Sequence, residues 1–265
     1  MRKSIFFLFF IWVGLSSSLF GQETIKTTSI YRDYHRAWEL YEKSQFTAAR
    51  IEFENFINQP IDRNDPLIIK AYYYRGMSAL ALYNDDAIHL LSSFNQAYPE
   101  NPFRNQINFE IGNYFFQKED FLGALPWYEE VQHDLLTPEE VEPFHFKKGY
   151  SYYQEGLESE ALESFKYVKN STGQYGTISL YYYAHLNYKL GNLSESKSDF
   201  HRLKHISEFT TIAPYYIVQI NHKQGLYDSV IAYAPSVLDT ADLGNYNDIL
   251  HLLGDSYFKL NQFEN

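Results

Sequence analysis

A small residue recurs along this chain at Ala37, Gly76, Gly112, Gly149, Ala184, Val218 and Gly254, at intervals of 39, 36, 37, 35, 34 and 36. A unit of that length is too short to bury its own apolar face, so successive copies must stack on one another to complete a core. Aligned on this residue, the copies fall into register. Twelve positions later stands a second small slot, Ala49, Ala124, Ala161, Ser196 and Val230, with Ala87 one position early because that copy has a shorter turn. Sixteen positions on come Phe53, Tyr128, Phe165 and Phe200, with Leu91 in the short copy and only Ala234 in the sixth. Three further stand Phe56, Phe94, Val131, Val168, Leu203 and Val237. This spacing describes one face of a second helix, and small residues at both slots predict a hairpin whose helices approach backbone to backbone.

Turn chemistry fits the same frame. Gly156, Gly191 and Gly225 close first helices, and Phe121, Leu193, Tyr227 and Phe263 stand where second helices open. Thr137-Pro138-Glu139-Glu140 reads as an N-cap, a first-turn proline and a capping-box glutamate. Asn58 to Pro66, with prolines at both ends of its core, reads as a loop within the array, and Pro235 is expected to bend or shorten the sixth second helix.

From about Tyr31 to its end the chain resembles the tetratricopeptide repeat (TPR) family, with Phe109 to Val131 and Phe146 to Val168 the best-matching copies. It departs in lacking the tryptophan near the start of the first helix and in carrying Asn84 and Glu158 where an aromatic opens the second. Its Tyr and Phe density is also similar to that of long exported TPR proteins of Bacteroidota-type bacteria. The resemblance implies an all-α, right-handed α-solenoid of antiparallel helix hairpins, about six full repeats and a truncated seventh. It also implies a concave face lined by first helices, on which such proteins hold their partners.

Two offsets in the first helix, three before the small slot and four after it, share one face. The earlier row reads Tyr34, Tyr73, Phe109, Phe146, Tyr181, Tyr215 and His251, and the later one Tyr41, Leu80, Phe116, Tyr153, Tyr188, His222 and Phe258. Leu80 is the only member that is neither aromatic nor histidine, in a chain whose aromatic content is 18%. Between them, one residue after the slot, run Trp38, Met77, Asn113, Tyr150, His185, Gln219 and Asp255. The rings either pack between adjacent first helices or form a ladder for a ligand. Tyrosine suits the second role because its rigid apolar ring carries a polar tip. The candidate groove comprises Tyr73, Phe109, Phe116, Phe146, Tyr150, Tyr153, Tyr181, His185, Tyr188 and Tyr215. The lysine and asparagine clamp that some family members use to grip a chaperone's terminal carboxylate is missing from these rows.

Residues 1–21 combine Arg2 and Lys3, an apolar run from Ile5 to Leu15, three serines and Gly21, which is the pattern of a cleaved secretory signal peptide. The apolar run falls short of the roughly 20 residues that span a bilayer. Residues 22–30 then read as a short linker and 31–265 as the solenoid. With no cysteine anywhere, the chain has neither a lipoprotein anchor nor disulfides. A periplasmic or secreted protein without stable membrane insertion is expected. The net charge of -11, with scattered basic residues, argues against nucleic acid.

No catalytic, cofactor or metal site is expected. His201 and His205 have a spacing that shares a helix face but no third ligand. Ser194-Glu195-Ser196-Lys197 opens a helix without companion motifs. The pairs Glu129-Glu130 and Glu139-Glu140 do not converge. An exported scaffold for protein or peptide partners in the cell envelope is the leading expectation. A glycan or cell-wall-fragment binding module is one alternative, and an N-terminal regulatory array of a longer protein is another. The array ends in mid-repeat after Gly254, which reads as a fragment of a longer array or as a face for self-association.

Overall fold

The computed structural model describes residues 31–239 and 243–262, so the signal-peptide and linker readings at 1–30, and Phe263, lie outside the described residues. The fold is all-α, and no strand occurs among the described residues. Two compact units divide at Ile111 and Gly112, inside one helix.

The first unit holds α1 (31–42), α2 (Phe46–Ile57), α3 (Pro66–Ala81), α4 (Ala87–Ala97) and the start of α5 (Arg104–Gln117). The second holds the rest of α5, then α6 (Phe121–Glu129), α7 (Pro138–Gln154), α8 (Glu158–Val168), α9 (Gly176–Lys189), α10 (Leu193–Leu203), α11 (Ile212–Lys223), α12 (Tyr227–Leu238) and α13 (Leu243–Lys259). Short 3-10 turns precede α7 at His133–Leu135 and α11 at Ser207–Phe209. Sequence neighbours pack on one another, α2 on α3 and α3 on α4 in the first unit, and α6 through α13 in succession in the second. The loop from Asn58 lies inside the first unit, and Asp65 caps α3 by accepting from the Leu67 amide at 2.8 Å.

The small slot works differently from the expected backbone contact. A Cβ on Gly76 would stand 2.4 Å from Leu91 Cδ2, one on Gly112 would stand 2.6 Å from two ring carbons of Tyr128, and one on Gly149 3.1 Å from the Phe165 ring. What the missing side chain admits is therefore the large residue of the partner helix. Ala37 with Phe53 and Ala184 with Phe200 repeat the arrangement, all four with no exposed surface. The sixth copy inverts it, with bulky Val218 in the slot facing short Ala234, both fully buried in one cluster. A larger residue in the slot thus goes with a smaller one opposite, as close packing requires. At the second slot, the buried Ser196 hydroxyl donates to the Ala184 carbonyl at 2.8 Å and ties the two slots of its hairpin directly.

The turns are more uniform than their sequences. Seven positions after the slot, Ser44, Tyr83, Glu119, Gly156, Gly191, Gly225 and Asn261 all take positive φ, between 54° and 82°. Each donates its amide to the carbonyl three residues back, and the next amide reaches five back, as in Gly156 to Tyr153 at 3.2 Å and Leu157 to Tyr152 at 2.9 Å. This is the Schellman closure. The capping box forms, with the Thr137 amide donating to Glu140 Oε2 at 2.9 Å. Pro235 does not shorten α12, which runs to Leu238 and equals α2 in length at 12 residues.

Candidate first-helix interaction face

The row three before the slot is held by a second row that sequence reading missed. Tyr73 stacks on Phe103 at 4.2 Å and 8°, Phe146 on Tyr175 at 4.8 Å and 26°, and Tyr181 on Phe209 at 5.2 Å and 27°. The covering rings all stand nine residues before the next slot, at or just before the start of a first helix. In this row Tyr73 and Phe109 are buried, and Phe146, Tyr181 and Tyr215 half-buried.

A third row, two before the slot, joins repeat to repeat. Tyr74 stacks on Phe53 at 5.7 Å, Tyr182 on Phe165 at 5.2 Å, and Tyr216 on Phe200 at 4.6 Å and 6°. These rings lie on the large residue of the preceding second helix, so the first, fourth and fifth repeats are each closed by the next. Burial and neighbouring tyrosines push the Tyr216 phenol well above its ordinary range.

In the second unit the rows at one and four after the slot are half-buried from Phe116 to Asp255, with Asn113 buried and Phe258 exposed at their ends, and they meet across neighbouring first helices. Phe116 meets Tyr150 edge to face at 5.9 Å. The Tyr153 hydroxyl lies 3.4 Å from His185 Nδ1, the Tyr188 hydroxyl donates to Gln219 Oε1, and His222 Nε2 lies 2.7 Å from Asp255 Oδ2. Four successive pairs thus use the same two offsets, the first through rings and the other three through polar tips. The Lys223 ammonium sits 4.1 Å from the centre of the Tyr188 ring. His185 is held below the usual imidazole range, first by burial and then by Lys189, with Glu158 opposing. Tyr215 instead donates to Asp248 at 3.0 Å.

Of the candidate groove residues, Phe116, Tyr150, Tyr153, His185 and Tyr188 converge in this strip. Phe146 stacks on its member Tyr150 at 6.0 Å, while Tyr181, stacked on His185 at 6.1 Å, is also packed into the core with Phe200 and Phe209. Tyr73 and Phe109 belong to the first unit.

Alpha-10 ends at Leu203, so His205 lies in the following turn and does not share a helix face with His201. Glu195 accepts from Tyr183 at 2.7 Å, and Glu129 accepts from Tyr152 at 2.9 Å. Among the described residues no group of three or more histidine, aspartate and glutamate side chains is arranged to hold a metal, and no helix is long and apolar enough to cross a membrane.

No family profile and no curated protein matches the chain. Among solved structures it is similar to a tetratricopeptide repeat protein from Parabacteroides merdae ATCC 43184, at 15% identity and a TM-score of 0.51, over 89% of this chain and 88% of that one. It is also similar to the C-terminal part of a TPR repeat-containing protein from Cytophaga hutchinsonii, at 17% identity and a TM-score of 0.53, over 90% of this chain and 88% of that one. The repeat register, the left-handed turns and these likenesses together identify the fold of this chain as that of the tetratricopeptide repeat.

Proposed function

We propose that this chain is an exported, non-enzymatic scaffold that holds an extended segment of another envelope protein. The segment lies on the first-helix face of the second unit, over Phe116, Tyr150, Tyr153, His185 and Tyr188. The observation that carries this reading is the repeated contact between offsets four and one, which keeps half-buried rings and their polar tips in fixed positions on consecutive helices. Rings already immobilised by neighbours lose little entropy when a partner binds, and their hydroxyls and imidazoles pair with a peptide backbone. The basic and then apolar pattern of residues 1–21 supports export to the periplasm or beyond.

A peptide-display library selected on the full chain, followed by calorimetry on the recovered peptide, tests the proposal. Tyr188→Ala is expected to weaken binding about tenfold or more while shifting the melting temperature by only a few degrees. Tyr181 is a poor probe because its ring is packed between Phe200 and Phe209. Binding that survives both Tyr150→Ala and Tyr188→Ala at full strength would overturn the assignment.

A further inference from the structure

Away from that face, a cleft of about 510 Å³ opens between the turn His133–Leu135, α7 and α8. Its most unusual member is Tyr167, a large ring left 66% exposed. The ring is nonetheless fixed. One face lies on the imidazole of His145 at 4.2 Å and 8°, and His145, itself buried, is held by His133 at 2.8 Å between Nε2 and Nδ1. The ring also meets that of His133 at 5.7 Å and 43°, while most of the residue stays open to solvent, so the cleft presents a rigid, flat, apolar platform.

Charges of both signs surround it. Lys148 packs its ammonium over the rings of Phe144 and Tyr152, at 5.6 and 5.9 Å, and among the described residues it makes no ion pair or hydrogen bond. Glu160 and Glu163 line the same cleft from α8 and are exposed, with the Lys166 ammonium 3.8 Å from Glu163. An anionic ligand meets the two carboxylates, and a cationic one meets Lys148, so neither is favoured by the whole site. A neutral ligand dense in hydroxyl groups suits every member at once, since a hydroxyl accepts from an ammonium and donates to a carboxylate. The apolar face of a pyranose ring, built of axial C–H groups, matches the open face of Tyr167 in size and polarity.

We propose that this cleft is a binding site for a neutral, pyranose-containing oligosaccharide, with Tyr167 as its stacking platform and Lys148, Glu160 and Glu163 as hydrogen-bonding groups. The site is separate from the first-helix face and does not depend on the peptide reading.

The test uses the full chain and calorimetric titration with cellohexaose, maltohexaose and chitohexaose. At least one is expected to bind, Tyr167→Ala to weaken it about tenfold or more, and Tyr167→Phe to stay within about threefold because the platform is kept. An unchanged melting temperature for Tyr167→Ala assigns the loss to binding, as its exposed position predicts. Three results overturn the proposal: no heat with any of the three sugars at about 10 mM, equal affinity in Tyr167→Ala, or a charged peptide that occupies the cleft in a Tyr167-dependent way while the sugars do not.

Discussion

A Cβ placed on Gly112 would stand 2.6 Å from Cδ1 and Cε1 of Tyr128, whose ring is fully buried and whose hydroxyl donates to Asn113 at 3.1 Å. The ring has no room to withdraw. Gly112→Ala should therefore destabilise the chain by about 1–3 kcal/mol, because overpacking outweighs the roughly 1 kcal/mol by which alanine favours a helix. Gly254 occupies the same slot with nothing within 4 Å of its position, so Gly254→Ala should stabilise by roughly 0.5–1 kcal/mol. Urea unfolding of both variants checks the opposite signs.

The turn position supplies a second contrast. Tyr83 and Glu119 hold left-handed backbone that costs a residue with a side chain about 1–2 kcal/mol, so Tyr83→Gly and Glu119→Gly should each stabilise by about 0.5–1 kcal/mol. Gly191→Ala, at φ 82° with open space around it, should destabilise by about 1 kcal/mol through backbone strain alone. Thermal melts that fail to separate these directions would refute the shared turn geometry.

Much of this repeat was legible because one side chain at one offset carried the signal. Gly156, Gly191 and Gly225 announced their turns, whereas Ser44, Tyr83 and Glu119 reach the same conformation because the flanking helices impose it. The candidate site was legible as rows of rings, but a row alone does not say what covers it. Phe103, Tyr175 and Phe209 stand at a constant offset and were visible in the same alignment, yet their role depends on a loop folding back over the first helix of the preceding repeat. The stack of Tyr167 on His145 left no periodic trace, since it joins a buried position of α7 to a surface position of α8.

His145 carries a pH dependence. Burial, then His133 and Lys148, lower its pKa to about 4 from an ordinary 6.5, so the folded state disfavours the charged ring. Its contribution is complete above pH 6.5 and is lost as pH falls from there towards 4, on the order of 2–3 kcal/mol. Urea midpoints measured at intervals across this range should fall in the native chain. In His145→Phe, which keeps a ring against Tyr167, that component of the fall should vanish.

Lys169 and Asp199 form a partly buried pair between α8 and α10, at 3.0 Å, with side chains 13% and 6% exposed. The same ammonium lies 3.6 Å from the centre of the Tyr183 ring, and Arg202 also reaches Asp199 at 3.1 Å. Lys169→Met should cost about 2–4 kcal/mol by leaving a buried carboxylate with one partner, and adding Asp199→Leu should recover part of it. A double-mutant cycle with no coupling would contradict the pairing.

The most direct test of the account is a solution NMR titration of the full chain, labelled at its tyrosine rings, with the peptide recovered by display. The signals of Tyr150, Tyr153 and Tyr188 are expected to move together while that of Tyr167 stays still. Shifts confined to tyrosines outside the first-helix face, or no shift in these three at saturating peptide, would contradict it.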